Sequence, residues 1–198
     1  MRLSFASAPA TDSSTAKDAA QDAFQAPNDV RVAMVVEQMW QPVPGGSGTY
    51  ITNLAHSLRA QGVKVAGIAA RRSHNDPGSS AVGLETMPVR YANLPRPALY
   101  ESWNRLHSPL AEAILPASDL VHATTWAIPP TRKPLVVTVH DLAFLRNPEH
   151  FTKRGNSYFR KSLQRTIKEA QAVIVPSQAT ADDCYEAGID SERVHVIP

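Results

Sequence analysis

Short apolar runs recur along this chain, and between them lie stretches whose apolar residues fall three and four positions apart. The runs are Val30–Val36, Val63–Ala69, Asp119–His122, Leu135–Val139, Ala172–Val175 and Val194–Ile197, with a shorter one at Glu85–Arg90. The intervening stripes include Tyr50, Ile51, Leu54, Ala55 and Leu58, then Phe159, Leu163, Ile167 and Ala170. Strand-length runs alternating with helical stripes predict a βαβ succession, hence a doubly wound, Rossmann-like parallel sheet with helices on both faces. The run Leu135–Val139 is apolar at nearly every position, the mark of a strand buried on both sides. Leu99, Trp103, Leu106, Leu110 and Ile114 read as one further helix, kinked at Pro109.

Residues 1–29 differ from the rest. They are rich in Ala, Ser, Asp and Gln, have no long apolar run and do not match a secretory signal, so we expect a disordered leader followed by one domain over 30–198. Arg71–Gly83, with its Gly, Pro, Ser and Asn, reads as a surface loop. The formal net charge of +2 gives no ground for a nucleic-acid partner, and the basic residues are not interleaved with aromatics as in nucleic-acid modules. No stretch is long and apolar enough to span a membrane. The single cysteine, Cys184, excludes an internal disulfide, fits a reducing, cytoplasmic compartment and reads as a packed core thiol.

Two sets of residues stand at the ends of predicted strands, where open α/β sheets build their sites. Pro42–Gly48 (PVPGGSG) lies between the first strand and the first helix, and Gly45, Gly46, Ser47 and Gly48 there allow a phosphate to approach free backbone N–H groups. The alternative is a surface loop capped by Ser47. His140 and Asp141 directly follow the strand Leu135–Val139, on the same sheet edge, where an imidazole can hydrogen-bond a sugar hydroxyl or exchange a proton. Asp141 capping the next turn is the competing reading. His122 ends the neighbouring strand; as a metal set with His140 and Asp141 it lacks ligand spacing, and we expect no metal. Ser177 caps the helix that ends near Gly188. Lys153, Arg154, Arg160, Lys161, Arg165 and Lys168 share one arc of the Phe159–Ile167 helix, either a solvated face or a contact for anionic lipid or a phosphorylated acceptor. The glycines do not form G-x-G-x-x-G and no lysine follows them as in a P-loop, which speaks against dinucleotide and nucleoside-triphosphate sites.

The ordered series PGGSGTYITNLAHSLRAQGVKV, DLVHATT, VVTVHDLAFL, AVIVPSQATADDC and RVHVIP resembles the N-terminal domain of a family 4 (GT-B) glycosyltransferase over roughly residues 30–198. The resemblance implies a retaining transferase that moves a sugar from a nucleotide-sugar donor to a sugar or lipid acceptor, with no separate cofactor. It places Gly45, Gly46, Ser47 and Gly48 against the donor diphosphate and sugar, with His140 beside the donor sugar and Asp141 on the acceptor side. Ser177 and Thr180 line the crevice floor or cap their helix; His122, by its place at the end of the neighbouring strand, is expected to border the same crevice. Lipid-acceptor members raise the prospect that Arg160, Lys161 and Arg165 meet a membrane peripherally. The second domain of such enzymes, with its nucleotide-gripping residues, is expected to be missing here, which implies a fragment inactive alone. A Rossmann-type binding module or a degenerate association domain without catalysis are the rival readings.

Overall fold

A computed structural model describes residues 29–72 and 87–198. The leader proposed for 1–29 lies almost wholly outside these residues, as does most of the loop read over Arg71–Gly83. Seven strands form one sheet: β1 (Arg31–Val35), β2 (Lys64–Ala69), β3 (Val89–Tyr91), β4 (Leu120–Ala123), β5 (Leu135–Thr138), β6 (Ala172–Val175) and β7 (Val194–Val196). Their order is β3-β2-β1-β4-β5-β6-β7 and every pair is parallel. The order reverses between β1 and β4, so the chain leaves these two strands toward opposite sides and opens a crevice at their carboxyl ends.

The helices are α1 (Gly45–Ala60), α2 (Arg96–Arg105), α3 (Ala111–Ile114), α4 (Ala143–Arg146), α5 (Lys153–Glu169) and α6 (Gln178–Glu186). Alternation along β1 divides the core in two. Val32, Met34 and Val36 pack with Ile51 and Ala55 of α1, whereas Ala33 and Val35 join Leu99 and Trp103 of α2, Leu163 of α5 and Cys184 of α6. Trp103 is only 1% exposed, and burial of a tryptophan side chain of this kind stabilises a fold by several kcal/mol, about 3–5 of which are lost on truncation to Ala. Gly62 and Gly188 end α1 and α6 with positive φ, where a side chain would be strained.

The single kinked helix expected across Leu99–Ile114 is instead two. Pro109 lacks an N–H and its ring crowds the turn before it, so α2 stops at Arg105. His107 then takes φ 51°, the Ser108–Pro109 peptide is cis, and α3 starts at Ala111. Leu106, read as part of the stripe, is therefore left 74% exposed. The short strand expected at Glu85–Arg90 is found at Val89–Tyr91.

Candidate active site

The first strand delivers the chain into a buried turn at Glu37–Trp40 and then, through Pro44, into α1. Gln38 Nε2 donates to the Pro44 carbonyl (3.1 Å) and steadies this link. No side chain caps α1, so the N–H groups of its first turn remain available and the positive end of the helix faces the crevice. The three glycines have different jobs. Gly45 turns the chain at φ +62°, a Cβ on Gly48 would collide with the Cβ of Pro44, and Gly46 has open space around it. Ser47 does not act as the cap; it lies within the first turn and lines the crevice.

His140 follows β5 and is half-buried. Its Nε2 lies 3.0 Å from the Thr124 carbonyl. A carbonyl only accepts, so Nε2 carries the proton and, in the neutral ring, Nδ1 keeps its lone pair. Tyr50 of α1 stands edge-on to the ring, 5.1 Å between centroids at 89°. The Tyr50 hydroxyl is 2.9 Å from Thr138 Oγ1, which is in turn 2.8 Å from His122 Nε2. Positions 122, 138 and 140 thus all face α1, and where that helix crosses β4 and β5 a hydrogen-bonded chain replaces apolar packing. Burial pushes the Tyr50 phenol up, against the opposing pull of its bond to Thr138. In the sequence Tyr50 carries no signal beyond the apolar stripe of its helix.

His122 does not border the crevice as expected. It is 4% exposed and lies beneath the floor, where burial first, and the nearby His140 second, bring its pKa down to about 4. Among the described residues no group of His, Cys, Asp and Glu is arranged to hold a metal. Asp141 is exposed and its Oδ1 accepts from the Ala143 N–H (2.9 Å), closing the turn that leads into α4 while still lining the crevice. Ser177 Oγ accepts from the Thr180 N–H (3.2 Å) and pairs with Thr180 Oγ1 (3.1 Å), a helix cap with Thr180 largely buried.

The structure corrects the basic arc. Arg165 is 7% exposed, its Nε and Nη2 bonded to Glu169 and its Nη1 to the carbonyls of Ile128 and Trp103. It ties α5 to α2 and faces no membrane, because α5 is covered over a wider face than its apolar stripe. Arg160 and Lys161 remain exposed, with Arg160 Nε donating to Asn156 Oδ1 (2.7 Å).

A second group went unnoticed in the sequence. Glu37, 1% exposed, accepts from the Ala70 N–H (2.7 Å) and pairs with Arg72, whose guanidinium lies 5.0 Å from the Trp40 ring centroid. Burial raises the Glu37 carboxyl, opposed by the Ala70 bond and by Arg72. This group closes the carboxyl ends of β1 and β2.

Ser47, His140, Asp141, Gln38, Thr125 and Trp126 meet in a crevice of about 240 Å³, which brings the α1 N-terminus and His140 to one place. The arrangement can take an anion at the helix end and a polyhydroxylated group beside the imidazole. No helix among the described residues is long and apolar enough to cross a membrane.

The crystal structure of Anabaena HepE in complex with UDP and glucose is similar to this chain with a TM-score of 0.52 and 21% identity, over 85% of this chain and 44% of that one. HepE in complex with UDP-glucose gives a TM-score of 0.53 and 22% identity, over 84% and 43%. At these identities the likeness shows the fold, and the chain spans less than half the length of HepE. No curated protein matches it. The family model for Glycosyltransferase Family 4 matches residues 44–198, from the turn before α1 through β7, and the chain belongs to that family.

Proposed function

We propose that this chain is the acceptor-side domain of a retaining hexosyltransferase that uses a nucleotide-sugar donor. The observation that carries the reading is the meeting of the uncapped α1 N-terminus and His140 in one crevice at the sheet's switch point. The leaving diphosphate gathers negative charge as the glycosidic bond breaks, and preorganised N–H groups of Gly46 and Ser47 stabilise it there. His140, held by Thr124 and Tyr50, offers Nδ1 to a donor-sugar hydroxyl while the anomeric carbon becomes cationic. The presence of UDP-glucose in HepE supports a nucleotide sugar as substrate, with no separate cofactor.

In this reading the donor's nucleotide is gripped by a second domain that closes over the crevice, a reading supported by the chain spanning less than half the length of HepE. Closure excludes water and completes the charge stabilisation, so the 198 residues fold but do not turn over unaided. The protein acts in the cytoplasm.

The test is transfer from a panel of UDP- and GDP-sugars in the protein extended by its donor domain, with the anomer of the product read by NMR. His140→Ala lowers turnover about a hundredfold or more. Inverted product excludes retention. Binding of nucleotide sugar without transfer to any acceptor favours the binding-module alternative.

A further inference from the structure

From the crevice a groove of about 510 Å³ runs outward between α2 and α5, and Tyr100, Tyr158 and Gln41 line both spaces. We infer that this groove binds the acceptor and that the acceptor is an acidic saccharide, its carboxylate or phosphate held at the outer end. The inference rests on the transferase reading above.

Three features point to this ligand. The groove wall carries Arg96, Arg154 and Lys161, none of which forms an ion pair among the described residues. The wall's one carboxylate, Glu101, is already taken by Arg105 at 2.5 Å. Cations with no paired carboxylate therefore face the groove, Arg96 sharing only the field of Glu37, which is itself paired with Arg72, and an anionic ligand is what would neutralise them. At the inner end the rings of Tyr100 and Tyr158 stack on each other, 5.8 Å between centroids at 21°, and both line the groove, giving it an aromatic border against which a sugar can pack.

The third feature is Asn104. Its amide nitrogen and oxygen are both buried and neither has a partner, while the residue lines the groove and also the adjoining cavity toward Arg160. Buried amides are rarely left unsatisfied in folded chains, and this one needs a donor and an acceptor at once. A sugar hydroxyl is both. Small rotation of the Asn104 side chain into the groove breaks no existing bond. The recess between two helices, with polar and aromatic walls, suits a saccharide better than the flat face of a bilayer.

Binding is measured on the chain by ligand-observed NMR with two matched pairs, cellobiuronic acid against cellobiose and sucrose phosphate against sucrose. Vesicles of phosphatidylcholine and phosphatidylglycerol form a separate arm. Each acid is expected to bind at least about tenfold more tightly than its neutral twin at low salt, with the gap closing as salt is added. Combined Arg96→Gln, Arg154→Gln and Lys161→Gln abolishes the gap, and Asn104→Leu weakens acid and neutral sugar alike by several-fold. Thermal melts establish that the variants fold, and Lys161→Gln alone, which narrows the gap, serves if the triple variant does not. Equal binding of acid and neutral sugar overturns the inference, as does an acid preference that survives the charge removal. Vesicle binding sensitive to the same substitutions, with no saccharide binding, overturns it in favour of a lipid. Acid binding without any sugar transfer in the two-domain protein would leave the groove assignment standing and sink the transferase reading instead.

Discussion

The Tyr50 ring meets the His140 imidazole edge-on, and its hydroxyl reaches past that ring to Thr138. One side chain of α1 thereby both braces the candidate catalytic histidine and satisfies the polar floor below it.

Tyr50→Phe keeps the edge contact and removes the hydroxyl. It should cost about 1 kcal/mol in urea unfolding, the ordinary worth of a partly buried hydrogen bond. Tyr50→Ala also removes the brace, and transfer should then fall well beyond what the stability loss explains. Turnover unchanged in Tyr50→Ala would show that His140 needs no support from α1.

His122 gives stability a defined pH dependence. Its folded pKa of about 4 lies below the usual 6.5, so between these values the unfolded chain binds a proton that the folded chain refuses. This contribution is complete above pH 6.5 and is lost as pH falls toward 4, a decline of roughly 3 kcal/mol. Urea titrations across that window should show the slope, and His122→Gln should flatten it. An equal slope in the variant would assign the acid sensitivity to other groups.

The glycines of the α1 turn are separable by experiment. Gly48→Ala drives a methyl into Pro44 and should destabilise by about 1–3 kcal/mol. Gly46→Ala meets nothing within 4 Å and should leave stability unchanged or raise it by up to about 1 kcal/mol, since alanine favours the helix. If a diphosphate lies against this turn, the same Gly46→Ala loses transfer. Full transfer by a stable Gly46→Ala would move the donor elsewhere.

Arg165 and Arg160 should part company. Arg165→Ala strands Glu169 and two carbonyls and should cost about 3 kcal/mol or more, whereas Arg160→Ala stays within about half a kcal/mol in the same denaturant titration. Equal costs would show that the burial of Arg165 carries no energetic weight.

Legibility in the sequence followed locality. Leu135–Val139 announces β5 because five successive residues suit a doubly covered strand, and His140 inherits its place at the edge from that run. The chain Tyr50–Thr138–His122 was hidden because it joins residues 88 and 16 positions apart and needs the register of β4 on β5, which no local pattern carries. Arg165 misled for a related reason. It sits beside Ser162 and Thr166 on a face that looks polar, yet α2 covers that face; Thr166 Oγ1 donates to the Ser162 carbonyl (3.0 Å) there, while the buried Ser162 hydroxyl has no partner among the described residues. PGGSG showed that the turn needed glycine but not which one turns the chain, which one yields to Pro44 and which one is left bare.

Because Ser47 and Tyr50 belong to one helix, three residues and about 4.5 Å of rise apart, the first two turns of α1 carry both loads on one rigid rod. Any axial displacement at its first turn is delivered undiminished to the ring that leans on His140. The anion-facing tip and the imidazole therefore share a single mechanical coordinate, and neither can be retuned by moving this helix without shifting the other.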